Sequence, residues 1–399
     1  MSGRNLRHSP FDETVSAPEF RDRTARAHAL GPLCDHCLGR LFAGVGTGLR
    51  NEDRGRTLRR LANLPAAPGT CSLCQGLFSA LDAWTSRIQT AVAGLEFETF
   101  LVSSHADPAL VAREEALWSQ VGPSTSSGQA EPYKQEFNRA VGCRLADALG
   151  KMPDLAQPDL VILVDHKRGT VDVRPQPLLV SGRYRKLVRG MPQCRWAGWP
   201  TSVQQVVADP ICRAAEGLDH DFHGAGREDT DVRCLGERPF VVEIHGPRRR
   251  ALDWAALTAE INASGTVEAL GLGPCGRDEP ARLKALRPDK TYRALVRLGA
   301  PVADEALGRL SGLRGEIRQR TPRRMLKRRA DLMRLRQVHS VEWQRTGPDT
   351  LELRVRTSGG LYIKELISGD SARTQPNVAA LLGVEAECAE LDVADIHLE

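Results

Sequence analysis

The spacing of apolar residues changes character along this chain. In the charged stretch Arg54 to Leu64, Leu58, Leu61 and Leu64 recur every three residues, and Gly76 to Ile88 continues as a second helix. At Phe97-Glu98-Thr99-Phe100-Leu101-Val102 the pattern turns strand-like, and a helix over 109–117 follows. Pro123-Ser124-Thr125-Ser126-Ser127-Gly128 has the composition of a flexible loop. Between Lys134 and Leu149, the residues Phe137, Val141, Leu145 and Leu149 line one helical face. Leu160–Val164 and Thr170–Val173, with Lys-Arg-Gly between them, read as a hairpin. From Leu178 onward the expected strands are 178–181, 239–245, 264–270, 291–297, 338–344 and 350–357, and the expected helices are 202–216, 252–262, 303–311 and 360–368. Strand pairs on short loops with helices between them predict an α+β fold with a mixed, antiparallel-rich sheet, not a doubly wound one. The same pattern divides the chain into a helical module over 1–89, a small α/β domain over 90–175 and a larger domain over 176–399. No internal repeat runs at a fixed period.

Length and charge narrow the reading. A chain of 399 residues has room for two or three domains. Its 55 Lys and Arg against 50 Asp and Glu leave +5, which permits a nucleic-acid partner without requiring one. The distribution says more: between Arg314 and Arg336 ten residues are Arg or Lys, opposed only by Glu316 and Asp331. No apolar run reaches membrane-spanning length, and MSGRNLRHSP lacks the apolar core of a secretory signal, so a cytoplasmic protein is expected. The ten cysteines are then expected to be reduced.

Cys34-Asp35-His36-Cys37 and Cys71-Ser72-Leu73-Cys74 are two C-x-x-C knuckles. Four thiolates can close a tetrahedral structural zinc site, which is the expected role of Cys34, Cys37, Cys71 and Cys74. The 33 residues between the knuckles make the intervening helix an insertion; His36 is an alternative ligand but, lying inside the knuckle, is expected to face solvent. The other six cysteines are scattered, as buried apolar residues would be. Gly271-Leu272-Gly273-Pro274-Cys275-Gly276 matches G-x-G-x-x-G, but Pro274 and the Gly-Arg-Asp-Glu-Pro that follows make a loop where a dinucleotide site needs a helix. The P-loop lysine pattern is also missing, so no organic cofactor is expected.

Gly226-Arg227-Glu228-Asp229-Thr230-Asp231-Val232-Arg233 puts five ionisable side chains into seven residues, between a Gly-Ala-Gly turn and a strand-like run. A carboxylate delivered by a glycine turn among arginines suits a nucleophile, because the cations keep it ionised and the glycines admit a substrate. A solvated charged loop has the same composition. Lys290-Thr291-Tyr292 opens a strand with a tyrosine that fits either a base-stacking site or the core. Gly359-Gly360-Leu361-Tyr362-Ile363-Lys364-Glu365-Leu366 is a strand, glycine turn and helix start whose Lys364 fits an anion partner or an ordinary surface lysine. Thr321 to Asp331 is the strongest phosphate-binding candidate through Arg323, Arg324, Lys327, Arg328 and Arg329, because guanidinium pairs with phosphate bidentately; the alternative is a solvated helix face.

Taken in order, G-R-E-D at Gly226–Asp229, K-T-Y at Lys290–Tyr292 and G-G-L-Y-I-K-E-L at Gly359–Leu366 resemble the motif set of pseudouridine synthases. The flanking text S-G-R-Y-R-K-L-V-R-G-M-P-Q at Ser181–Gln193, A-D-P-I-C at Ala208–Cys212, H-G-A-G-R-E-D-T-D-V-R at His223–Arg233 and S-G-D-S-A-R-T at Ser368–Thr374 is similar to the archaeal and eukaryotic tRNA pseudouridine synthases that modify T-loop positions 54 and 55. The resemblance spans nearly the whole chain, and it implies a zinc-bearing N-terminal region followed by a THUMP-like RNA-binding domain. Leu235-Gly236-Glu237-Arg238-Pro239 departs from the family pattern, standing one residue tighter than the turn expected there.

The resemblance also implies roles. Asp229 matches the nucleophile, with Asp231 as a supporting residue and second candidate. Lys364 matches the basic partner that keeps the aspartate ionised, and Tyr292 the tyrosine that stacks on the flipped base. Arg227 and Arg233 would position the loop or the RNA. The partner implied is tRNA, with no membrane and no obligatory protein partner. The rival readings are a non-catalytic zinc-containing tRNA-binding protein, against which the intact Asp229, Tyr292 and Lys364 argue, and a THUMP-bearing thiouridine synthetase or methyltransferase, which would need a nucleotide-binding glycine loop.

Overall fold

A computed structural model describes residues 18–45, 48–122 and 130–398. The loop expected over Pro123–Gly128 and the N-terminal decapeptide lie outside the described residues. The chain forms two compact units, Met1–Gln176 and Pro177–Glu399.

In the first unit, helices Asp35–Arg40 and Asn51–Leu61 cross at close range. A Cβ on Gly39 would lie 1.8 Å from the Asn51 carbonyl oxygen, and one on Gly55 would lie 1.9 Å from that of Asp35, so the crossing needs both glycines. The helix expected from Gly76 begins only at Leu81, after a short 3-10 turn over Phe78–Ala80. Positive φ at Gln75 and Gly76, 49° and 90°, turns the chain out of the second knuckle first. Strands β1 (Thr99–His105), β2 (Met152–Pro153), β3 (Leu160–Asp165) and β4 (Thr170–Pro175) form a sheet ordered β2-β1-β3-β4, with β3 and β4 as the hairpin. One core runs from Phe20 through Cys37, Cys71 and Cys74 to Phe137 and Val164, so the knuckle helices and this sheet share their apolar interior.

In the second unit a ten-stranded sheet is built from β5 (Leu178–Lys186), β6 (Asp219–Gly224), β7 (Arg233–His245), β8 (Val267–Pro274), β9 (Asp289–Leu298), β10 (Gly315–Arg320), β11 (Met333–Arg345), β12 (Thr350–Thr357), β13 (Thr374–Gln375) and β14 (Ala386–His397). Its order is β13-β10-β11-β12-β9-β14-β7-β5-β8, with β6 also on β7. Every pairing is antiparallel except β14 with β7. This is the α+β, antiparallel-rich arrangement that the periodicity predicts. The sequence pattern missed β6, β10 and β14: DHDFHG and GEIRQR carry one apolar side chain each, and β14 is broken by bulges near Cys388 and Val393. The turn expected at Leu235–Pro239 is instead part of β7, where a register shift against β5 leaves Leu235–Glu237 bulged between the Cys234 and Arg238 pairs. Gly271 and Gly273 lie in β8, where Gly273 pairs with Ser181 of β5 and Gly271 sits at a register shift, so the glycines of the G-x-G-x-x-G match belong to a strand; the segment expected as loop after it turns helical at Glu279–Ala285.

Helix Val203–Ala214 is capped by the Ser202 hydroxyl, which accepts from the Gln205 amide at 3.2 Å. It buries Val203, Val207 and Ile211 with Leu257 and Ile261 of helix Trp254–Asn262, over one end of the sheet. At the other end Ile363, Leu366 and Ile367 of helix Ile363–Ser368 join Val355, Ile317 and Val393 in a second core. The helix expected over 303–311 shrinks to one turn, Asp304–Leu307, followed by a 3-10 segment.

Candidate active site

Four segments that are distant in sequence converge on one cavity of about 420 Å³. Its wall includes Gly226 to Asp229 from the loop between β6 and β7, Lys290 and Tyr292 from β9, Gly359 to Lys364 after β12, and Arg324 and Arg329 from the loop between β10 and β11. Central strands β9 and β14 form its floor through Tyr292, Leu391 and Val393. The sheet therefore juxtaposes the three motifs that the sequence leaves 60 residues or more apart.

The geometry of the Gly226–Arg233 loop is set by buried charge. Glu228, whose side chain is 0% exposed, accepts hydrogen bonds from Tyr184 Oη at 3.1 and 3.2 Å. Arg238 Nε stands 3.1 Å from Glu228 Oε2, close enough for an ion pair though off the hydrogen-bond direction, and Lys186 Nζ stands at 3.9 Å. Burial pulls the Arg238 guanidinium down, but the Glu228 carboxylate overrides it and leaves the pKa raised. The same cations hold the loop backbone. Arg238 Nη1 donates to the Ala225 carbonyl at 2.8 Å, and Lys186 Nζ donates to those of Asp229 and Thr230 at 3.1 and 3.3 Å. Gln193 Nε2 donates to the Gly226 carbonyl at 2.9 Å. At Gly226, φ is +87° and a Cβ would lie 3.0 Å from Arg238 Nη1, so this turn requires glycine. Glu228 thus faces inward while Asp229, next in the chain, faces the cavity. Sequence reasoning missed that role, and the only available signal was an acidic residue standing between Arg227 and Asp229.

Asp229 is held by two cations from different elements. Arg324 Nη1 donates to Asp229 Oδ2 at 2.8 Å, and Lys364 Nζ lies 3.3 Å from the same oxygen. Lys364 is closer to Asp231, at 2.9 and 2.7 Å from its two carboxylate oxygens. Burial pushes the Asp231 carboxyl up, but the Lys364 hydrogen bonds and charge outweigh it, leaving the pKa below the usual carboxylate range. Arg324 is fixed from behind by Glu365, whose Oε1 accepts from Nε at 2.6 Å. Its guanidinium lies 6.0 Å from the Tyr362 ring. Burial pushes the Tyr292 phenol up to about 12, so it stays protonated at neutral pH.

The remaining candidates divide. Arg233 turns from the cavity and donates to Asp392 of β14 at 2.9 and 2.7 Å, where Arg189 and Arg293 also converge. Arg227 stays exposed on the cavity wall. The arginine-rich segment 321–331 is a loop, not a helix face, with only Arg323–Met325 in a 3-10 turn. Within it Arg324 points inward, Arg329 lines the cavity, Arg328 lies 5.0 Å from the Trp196 ring, and Arg323 donates to the Ser371 hydroxyl at 3.1 Å. Lys327 is exposed.

In the other unit Cys34, Cys37, Cys71 and Cys74 present four Sγ atoms all within 4.8 Å of one another. Cys34 Sγ and Cys74 Sγ are 3.7 Å apart, and all four thiols are free. A tetrahedral ion with bonds of about 2.3 Å places its sulfurs about 3.8 Å apart, so the donor set fits a metal such as zinc. Burial, then the neighbouring thiols, push the Cys37 pKa well up, which a bound cation would reverse. His36 does not face solvent as expected. Its ring stacks on Phe78 at 4.8 Å between centroids, and its Nδ1 lies 2.7 Å from Glu136 Oε1, because the close crossing of the knuckle helices folds it inward.

Residues 179–397 match the family described as Pus10, C-terminal, and residues 84–165 match the Pus10 THUMP domain, archaeal. The tRNA pseudouridine synthase Pus10 of Pyrococcus furiosus is 42% identical, over 91% of this chain and 94% of that protein. The proteins of the same name from Methanothrix thermoacetophila (39% identical, 97% and 96% covered) and Methanothermobacter marburgensis (42%, 91% and 95%) are similar to comparable extents.

Proposed function

The chain belongs to the Pus10 family, and from that premise we propose that it is a tRNA pseudouridine synthase that isomerises uridine in the T-loop, at position 54, position 55 or both, with the Asp229 carboxylate as nucleophile. The observation that carries this reading is a half-buried aspartate held by Arg324 and Lys364 on a cavity whose floor carries a protonated tyrosine. Isomerisation breaks the base–sugar C1′–N1 bond, turns the uracil and rejoins it through C5. It involves no net oxidation, so the chemistry asks for a carboxylate, a stacking platform and proton transfer, and no organic cofactor. Asp229 attacks the sugar or assists elimination, Tyr292 stacks on the extruded base, and Lys364 and Arg324 keep the carboxylate ionised. Asp231 supports by sharing Lys364.

In this reading Arg323, Lys327, Arg328 and Arg329 contact the RNA backbone, and the THUMP region adds affinity without reading bases. The four cysteines hold a structural zinc that fixes the knuckle fold, and the free thiols suit the cytoplasm. The test uses purified protein and unmodified tRNA transcript, with pseudouridine mapped by carbodiimide primer extension. Wild type is expected to mark one or both T-loop uridines and Asp229→Ala neither. Full activity of Asp229→Ala would overturn the nucleophile, and no product from wild type would overturn the substrate. Metal analysis is expected to give about one zinc per chain.

A further inference from the structure

The cavity wall carries two lysines, and only one of them is neutralised. Lys364 is paired with Asp231 and Asp229. Lys290 is 8% exposed, and its side-chain amine makes no hydrogen bond or ion pair among the described residues. A buried ammonium without a partner is costly, and this one is held in place by its strand, where it pairs with Thr357 of β12 and Ile396 of β14. Lys290 and Tyr292 are two residues apart on β9 and so point to the same face, towards the cavity. A Cβ built on Gly226 would lie 3.6 Å from Lys290 Nζ, so the amine faces the backbone of the Asp229 loop. The charged and titratable groups around it are Arg238 and Cys234 of β7, Glu228 of the loop and Arg287 ahead of β9. Glu228, the only carboxylate among them, is already shared by Arg238, Lys186 and Tyr184.

Resting on the reading of this chain as a pseudouridine synthase, we propose that the Lys290 ammonium is the electrostatic partner of the detached uracil, stabilising the negative charge on its carbonyl oxygens while the base is free of the sugar. When the C1′–N1 bond breaks, its electron pair leaves with the base as an anion spread over N1, O2 and O4. Meanwhile either C1′ bonds to the Asp229 carboxylate, or C2′ gives its proton to that carboxylate and a C1′=C2′ double bond forms. The base turns beside Tyr292, and C5 then forms the new bond to C1′ while the carboxylate is released or the 2′-proton returns. The C5 proton is lost and N1 gains one, so atoms and electrons balance. A fixed cation on the cavity wall lowers the energy of that anion without affecting the neutral, attached base equally.

The test compares Lys290→Met, Lys290→Gln and Lys290→Arg with wild type in single-turnover reactions at saturating unmodified tRNA, alongside tRNA affinity by filter binding. The neutral variants are expected to lose about 100-fold or more in rate, with affinity changed less than about threefold, while Lys290→Arg recovers at least tenfold of the loss. Burial, then Arg238, pulls the Lys290 pKa down to about 8, so the ammonium is lost as pH rises through that value. The wild-type rate should therefore fall above about pH 8, and the Lys290→Arg rate should stay flat there because arginine remains charged. Neutral variants within threefold of wild type, a loss confined to affinity, or an identical alkaline limb in Lys290→Arg would each overturn the assignment. If Lys290→Met does not fold, Lys290→Gln and the arginine pH profile decide the matter. A wild-type protein without activity would instead sink the underlying reading, and it would do so before any variant is made.

Discussion

At the scale of single residues, the site separates two aspartates by partner. Asp231 takes both nearer contacts of Lys364, whereas Asp229 takes Arg324 and a longer Lys364 contact and faces the cavity. Asp229→Ala should therefore lower the single-turnover rate by more than about 10³-fold and Asp231→Ala by about tenfold; the reverse ranking would exchange their roles. Glu228 belongs to stability. Glu228→Gln leaves Arg238 and Lys186 buried without their counter-charge and should cost about 3–5 kcal/mol in urea denaturation. His166 makes a prediction of its own. Burial lowers its pKa to about 4, and neither ring nitrogen has a hydrogen-bond partner. The unfolded chain binds its proton near pH 6.5 and the folded chain near 4, so stability is full above 6.5 and falls by up to about 3 kcal/mol as pH drops to 4. His166→Phe should flatten that slope in thermal melts over this range.

At the scale of elements, the site depends on loops and turns anchored by rigid strands. The Asp229 loop leaves β6 and enters β7, and both ends are stitched to sheet side chains, Arg238 at one and Arg233 with Asp392 at the other. The helix crossing in the first unit is less tolerant. Gly39→Ala forces a methyl into the Asn51 carbonyl and should lower stability by about 3 kcal/mol, read as a drop in melting temperature. A fall of less than about 0.5 kcal/mol would mean that the two helices separate easily.

At the scale of the molecule, the basic loop and the candidate metal cluster belong to different units. The arginine-rich loop and the cavity arginines belong to Pro177–Glu399, so tRNA affinity should fall steeply with added salt, and Arg328→Ala should lessen that slope. The cysteine cluster belongs to Met1–Gln176, where its thiols are part of the core itself. Stripping the metal with a chelator should therefore expose that unit to proteolysis, mapped by mass spectrometry, and re-addition of zinc should restore protection. Unchanged cleavage after complete metal removal would make the cluster dispensable.

Much of this was legible in the sequence. Periodicity specified most helices and the longer strands, because burial on one face repeats every 3.6 or 2 residues whatever the partner is. The knuckle spacing specified the cysteine cluster, and three ordered motifs specified Asp229, Tyr292 and Lys364 as members of one site. Spacing along a chain, however, carries no information about which polar groups share a buried volume. Only the tertiary structure turned Glu228 inward onto Arg238, drew Arg324 out of a basic run onto Asp229, folded His36 against Phe78, and left Lys290 uncompensated beside Tyr292. Those outcomes depend on electrostatic and packing contacts between residues ten to nearly a hundred positions apart, which exist only once the fold has brought their elements together.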